Sequence, residues 1–128
     1  MKLSTLFTIN AIIAAVFGIS FVLIPATMLS IYGITLSPAG VVLARLLGAE
    51  FLSYSALTWL ARNLGETETQ RIIILGCLIG FGIGFIAALM GQLKGVFNLL
   101  GWSNVIIYLL FTLGYGYFYF TKPISPGQ

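Results

Sequence analysis

Two ionisable side chains, Arg45 and Glu50, interrupt the apolar run PAGVVLARLLGAEFLSYSALTWLAR between Pro38 and Arg62. An acid in such a setting has three kinds of work open to it. It can carry a proton or cation, meet a polar group of a bound solute, or act as polar glue between helices. A charge at the centre of a bilayer costs roughly 2.5–3.5 kcal/mol, so the acid is not retained for nothing. Arg45 and Glu50 stand five residues apart, which on a helix points them about 140° away from each other. They cannot form an i,i+4 pair, and each must find other partners. Arg45 lies close enough to the start of its helix to snorkel outwards. Glu50 lies near the middle, with the hydroxyls of Ser53 and Tyr54 one turn further on. On a four-span path Asn104 and Tyr108 fall at about the depth of Arg45 and are the expected partners across helices.

Other chemistries lack their residues. There is no His and a single cysteine, Cys77, which excludes a Cys-x-x-Cys redox pair, an internal disulfide and a Cys/His metal site. No Ser is accompanied by a base and an orienting acid, and no phosphate-binding glycine loop occurs. The expectation is no catalytic residue, no metal and no cofactor, with Cys77 as a small packing residue. The net charge of +3 comes from scattered basic residues; no cluster could track phosphates, so nucleic acid is not an expected partner.

The elements that must hold these residues follow from composition. Of 128 residues, 59% are hydrophobic and 7% charged, with a mean hydropathy of +1.08, against about 25% charged residues in soluble domains. Such a chain belongs in lipid, where every backbone polar group must be satisfied internally. The apolar runs are continuous rather than alternating, which predicts helices and not barrel strands. The expected fold is all-α, a four-transmembrane-helix bundle forming one integral membrane domain over residues 1–128, with spans at about 6–24, 39–62, 69–90 and 103–120.

Local signals set the ends. The first run is too long for a signal-peptide core and lacks a clear cleavage site, so it reads as a retained helix, ended by Pro25. Residues 26–37 read as an uncharged connection. Ser37-Pro38 is a strong helix start. Gly65 suits a C-terminal cap, and Thr67-Glu68-Thr69-Gln70 has capping-box spacing. Gly76, Gly80, Gly84 and Ala88 recur every four residues in the third helix, which predicts a stripe for close helix packing within the chain or against a second copy. Residues 96–100 are apolar but short and read as interfacial. The sequence YGYFYF near the end reads as an aromatic girdle, and the tail after it as disordered. Lys2, Arg62, Arg71 and Lys122 fall at one side and Lys94 at the other. The positive-inside rule then places both termini in the cytoplasm and the protein in the cell inner (plasma) membrane.

Three stretches carry a resemblance: LFTINAIIAAVFGISFVLIPATMLSIYGI, SPAGVVLARLLGAEFLSYSALTWLAR and ALMGQLKGVFNLLGWSNV. Together they resemble an uncharacterised family of small four-helix prokaryotic membrane proteins, known as a domain of unknown function. ARLLGAE followed by WLAR is the most specific part. The resemblance implies the four-helix architecture. A looser likeness to the DoxX-type four-helix proteins implies no redox role, because the cysteines are absent. The small multidrug exporters are similar in size and also carry a membrane-embedded Glu, although theirs is in the first helix and Glu50 is in the second. The expected function is a non-enzymatic accessory or assembly subunit, in contact with membrane lipid as a homo-oligomer or part of a larger membrane complex. The alternative is a proton-coupled small-solute transporter with Glu50 as the intramembrane acid.

Overall fold

The computed structural model describes residues 2–65 and 67–121. Glu66 and residues 122–128, with Lys122 and the tail expected to be disordered, lie outside the described residues. The order is α1 (Leu3–Leu23), α2 (Pro25–Ser30), α3 (Pro38–Ala61), α4 (Glu68–Leu93) and α5 (Gly101–Thr121). Four of these, α1, α3, α4 and α5, are long and apolar enough to cross a membrane.

The capping signals act locally. Ser37 Oγ accepts a hydrogen bond from Gly40 N at 3.0 Å, and Pro38 occupies the first turn, where its missing N–H is not needed. Thr67 Oγ1 accepts from Gln70 N at 3.1 Å. The reciprocal half of the capping box is not made. Gln70 instead donates Nε2 to Ala61 O at 3.2 Å, bridging the α3–α4 hairpin. Gly65 adopts φ +70° in that turn, a conformation open to glycine at little cost. Pro25 ends α1 but also starts α2, so part of the expected connection is helical; the fixed φ that breaks one helix suits the first turn of the next.

The helices associate as two pairs. α1 packs along α3 and α4 along α5, while the pairs touch each other only sparingly. The α1–α3 seam is made by small residues. A Cβ built on Gly48 would lie 2.8 Å from Gly18 O, and one built on Gly18 would lie 2.9 Å from Gly48 O. Ser55 Oγ donates to Ala11 O at 2.7 Å on the same seam. In α4–α5, the rings of Phe81 and Phe111 stack with centroids 4.8 Å apart.

The pairs are joined at both ends. At the end holding Lys2, Arg62 and Arg71, Leu3, Leu6, Phe7, Ala61, Ile74, Cys77, Phe111, Tyr115 and Phe118 form one buried cluster drawn from all four long helices. Within it Asn10 donates Nδ2 to Tyr115 Oη at 2.6 Å. At the other end Asn98 fastens the α4–α5 turn to the α2–α3 connection. It donates Nδ2 to Ile31 O at 3.0 Å and its backbone N–H to Tyr32 O at 3.1 Å. Residues 96–100 therefore form a turn clasped to the chain. The YGYFYF segment divides by face: Tyr115 and Phe118 are buried, while Tyr117 and Phe120 are exposed. The Arg71 guanidinium lies over the Tyr119 ring and donates to Tyr119 O at 3.0 Å.

Candidate functional site

Between the joined ends, the two helix pairs enclose a cavity of about 530 Å³. Its existence follows from residue size. On α4, Gly80, Gly84 and Ala88 put almost no side chain into the space facing α3 and α5. Rings from the neighbouring helices lean over this bare face. A Cβ on Gly80 would meet the Tyr54 hydroxyl at 2.9 Å, and one on Gly84 would collide with the Tyr108 ring. The glycine stripe thus does not meet another backbone within this chain. It receives tyrosine rings, and Gly76 has no atom within 4 Å of an added Cβ. The close backbone approach lies instead at Gly18 and Gly48. The every-four spacing on α4 gave no signal of this, because the same small residues clear a cavity as readily as a packing seam.

The cavity wall is largely aromatic. Phe81 is the centre of one group, with ring centroids 6.5 Å from Tyr54, 5.5 Å from Tyr108 and 5.8 Å from Tyr115. Phe17, Phe21 and Phe51 form a second group, with Phe21 and Phe51 stacked at 5.9 Å. Into this surface the chain places a few polar groups: Glu50, Asn10, Tyr54, Asn104 and Tyr108. Among the described residues, Glu50 is the only acidic or basic side chain in the lining. Exposure differs from one side of the cavity to the other. Asn10, Phe21, Gly101 and Phe111, from α1 and α5, are buried, whereas Leu47, Glu50, Ile83 and Ala87, from α3 and α4, are exposed. The cavity therefore opens sideways, between α3 and α4.

The residues singled out by the sequence divide between this cavity and its surroundings. Glu50, Tyr54, Asn104 and Tyr108 line it. Ser53 is exposed and does not. Arg45 is exposed and donates Nε to Val22 O at 3.2 Å, one of the last carbonyls of α1, which lack a partner within their own helix. This corrects the expected pairing of Arg45 with Asn104 or Tyr108. Asn104 Oδ1 instead lies 3.4 Å from the Tyr32 hydroxyl, which donates to it. The correction has a physical origin: α3 packs against α1, not α5, so the nearest acceptor for Arg45 is a helix end on α1. Among the described residues Glu50 has no hydrogen-bond or ion-pair partner. Cys77 is buried beside the Tyr115 hydroxyl, and so belongs to the polar contact that Asn10 makes.

Sequence reasoning missed Phe17, Phe51 and Phe81 as wall residues. A signal existed. Phe17 and Phe21 stand one turn apart, Phe51 adjoins Glu50, and Phe81 adjoins the glycine stripe. Large rings beside missing side chains, on helices that meet, are the pattern of a shaped hollow.

The chain belongs to the family described as Domain of unknown function (DUF8292), whose model matches residues 1–121. No match was found among curated proteins or among solved structures.

Proposed function

We propose that this is a non-enzymatic, multi-pass protein of the inner (plasma) membrane that takes up a small lipophilic molecule between α3 and α4 and holds it against Glu50. The carrying observation is Glu50 itself: an acid in the middle of a helix long enough to span a membrane, on an apolar cavity, with no partner in the described chain. A charge placed there is costly, and a bound molecule offsets that cost where the fold does not. The size of the cavity supports the reading, since small-molecule sites run to about 300–1,000 Å³ with apolar walls and a few placed polar groups. Its sideways opening, in a bilayer, faces the acyl chains, so a lipophile reaches it without crossing water. By the positive-inside rule, the end carrying Lys2, Arg62 and Arg71 lies in the cytoplasm with both termini.

A proton-coupled transporter is this same site with a second accessible state. An assembly subunit is the alternative occupant, with an apolar helix of a partner or a second copy lying along the opening. Native mass spectrometry of the protein released from gentle detergent separates them. The parent is expected as a monomer or homo-oligomer retaining a small lipophile. Ala88→Trp, which puts an indole ring into the cavity and narrows it, is expected to lose that molecule while keeping the same oligomeric state. Equal retention by both proteins, or a partner chain in place of a small molecule, would contradict the binding reading.

A further inference from the structure

The geometry points to a lipophilic monocation as the occupant: an apolar, partly aromatic body carrying a single positive centre. This rests on the reading of the cavity as a binding site and names the chemistry of what it binds.

Charge is the first argument. Among the described residues, Glu50 is the only acidic or basic side chain of the lining. The nearest cation along its helix, Arg45, is engaged with Val22 O on α1 and does not line the cavity. The site therefore holds a carboxyl group with no basic partner supplied by the lining. In surroundings of low dielectric a carboxylate attracts a positive charge far more strongly than in water. An anionic head would meet the same group with repulsion, and a zwitterion would bring a second, unmatched charge.

The wall is the second argument. Tyr54 is one turn from Glu50 on α3, and its ring belongs to the group around Phe81 and Tyr108. Phe51, next to Glu50, belongs to the other group, with Phe17 and Phe21. Aromatic faces attract cations through the ring quadrupole, and the attraction grows when water is excluded. A bare metal ion does not fit. Calcium and magnesium need six or more oxygen ligands, and this lining offers one carboxylate, two phenols and two amides, of which Asn10 is bonded to Tyr115 and Asn104 to Tyr32. A diffuse organic cation satisfies carboxylate and rings together.

Two sources share this chemistry: a compact organic cation dissolved in the membrane, and a single-chain amine resident in it. Isothermal titration of the purified full-length chain in a non-ionic detergent tests the inference with three probes of one shape. These are tetraphenylphosphonium, neutral tetraphenylsilane and tetraphenylborate. The parent is expected to prefer the cation over the neutral analogue by at least about tenfold and to bind the anion weakest. Glu50→Gln, checked by an unchanged elution profile, is expected to remove that preference while still binding the neutral probe. Displacement of tetraphenylphosphonium by octadecylamine would assign the membrane-resident source, and failure to displace it the compact one. Equal binding of all three probes by the parent would overturn the cation inference and leave the cavity reading standing. Saturable binding of none of them would overturn both. The ranking within the parent decides the matter even if Glu50→Gln does not fold.

Discussion

Gly48→Leu is expected to separate α1 from α3 and to cost about 3 kcal/mol or more, at the upper end of what overpacking does to a close contact. The reason is local and severe. Even the first carbon of a side chain at Gly48 would stand 2.8 Å from Gly18 O and 2.9 Å from Phe21 Cβ. A carbonyl on a helix has nowhere to retreat without breaking the helix, unlike the tip of a flexible side chain. If the helices lie in lipid, as proposed, no hydrophobic drive restores the association, and lost packing is lost stability. Gly76→Leu is the matched control. It adds the same side chain to a glycine with no atom within 4 Å, and should shift stability by less than about 0.5 kcal/mol. Unfolding in mixed micelles, followed by tryptophan emission, reads both variants. If Gly76→Leu proved the more damaging, the contact would lie on α4 and the pairing described here would be wrong.

Asn10→Leu is expected to destabilise by about 1–3 kcal/mol, and Asn10→Leu with Tyr115→Phe to recover most of that loss. Asn10 is 2% exposed and Tyr115 is fully buried, and their side chains are joined at 2.6 Å. Removing the amide alone takes away the donor that the buried Tyr115 hydroxyl accepts from and leaves it only the weakly polar Cys77 thiol, which costs part of its desolvation. Removing both groups leaves an apolar contact of similar shape, which is nearly neutral. A double-mutant cycle in the same unfolding assay measures the difference. Strict additivity would mean that Asn10 and Tyr115 do not act as a pair. The cycle also tests how the halves are joined, because Asn10 belongs to the α1–α3 pair and Tyr115 to the α4–α5 pair.

Much of the fold can be read from the residues because apolar run length and capping chemistry are local properties. Ser37-Pro38 starts α3, Thr67 starts α4, and the four long helices fall within a few residues of the spans expected from hydropathy. What the sequence does not carry is which helix packs against which. That choice decides that Gly48 meets Gly18 while Gly80 and Gly84 face rings. It also decides that Arg45 finds Val22 rather than Asn104. A repeat of small residues marks where side chains are missing, not whether a backbone, a ring or a ligand takes their place. Glu50 was legible as the residue of interest because an acid in an apolar run stands out in any arrangement. Its aromatic surroundings were legible only in part: Phe51 adjoins Glu50 and Phe81 adjoins the glycine stripe, but which rings meet is settled only when the helices are assembled.

The most direct test of the account asks whether a lipophile in the membrane reaches Glu50 through the opening between α3 and α4. The parent and Ala88→Trp would be reconstituted in lipid nanodiscs with a neutral aliphatic diazirine, irradiated, and mapped by peptide mass spectrometry. The account predicts adducts concentrated on Glu50, Tyr54 and Tyr108 in the parent, and their loss in Ala88→Trp, with background labelling at the exposed Leu43 and Leu60 unchanged. Labelling spread evenly over the exposed apolar residues, or adducts at Glu50 that persist in Ala88→Trp, would contradict it.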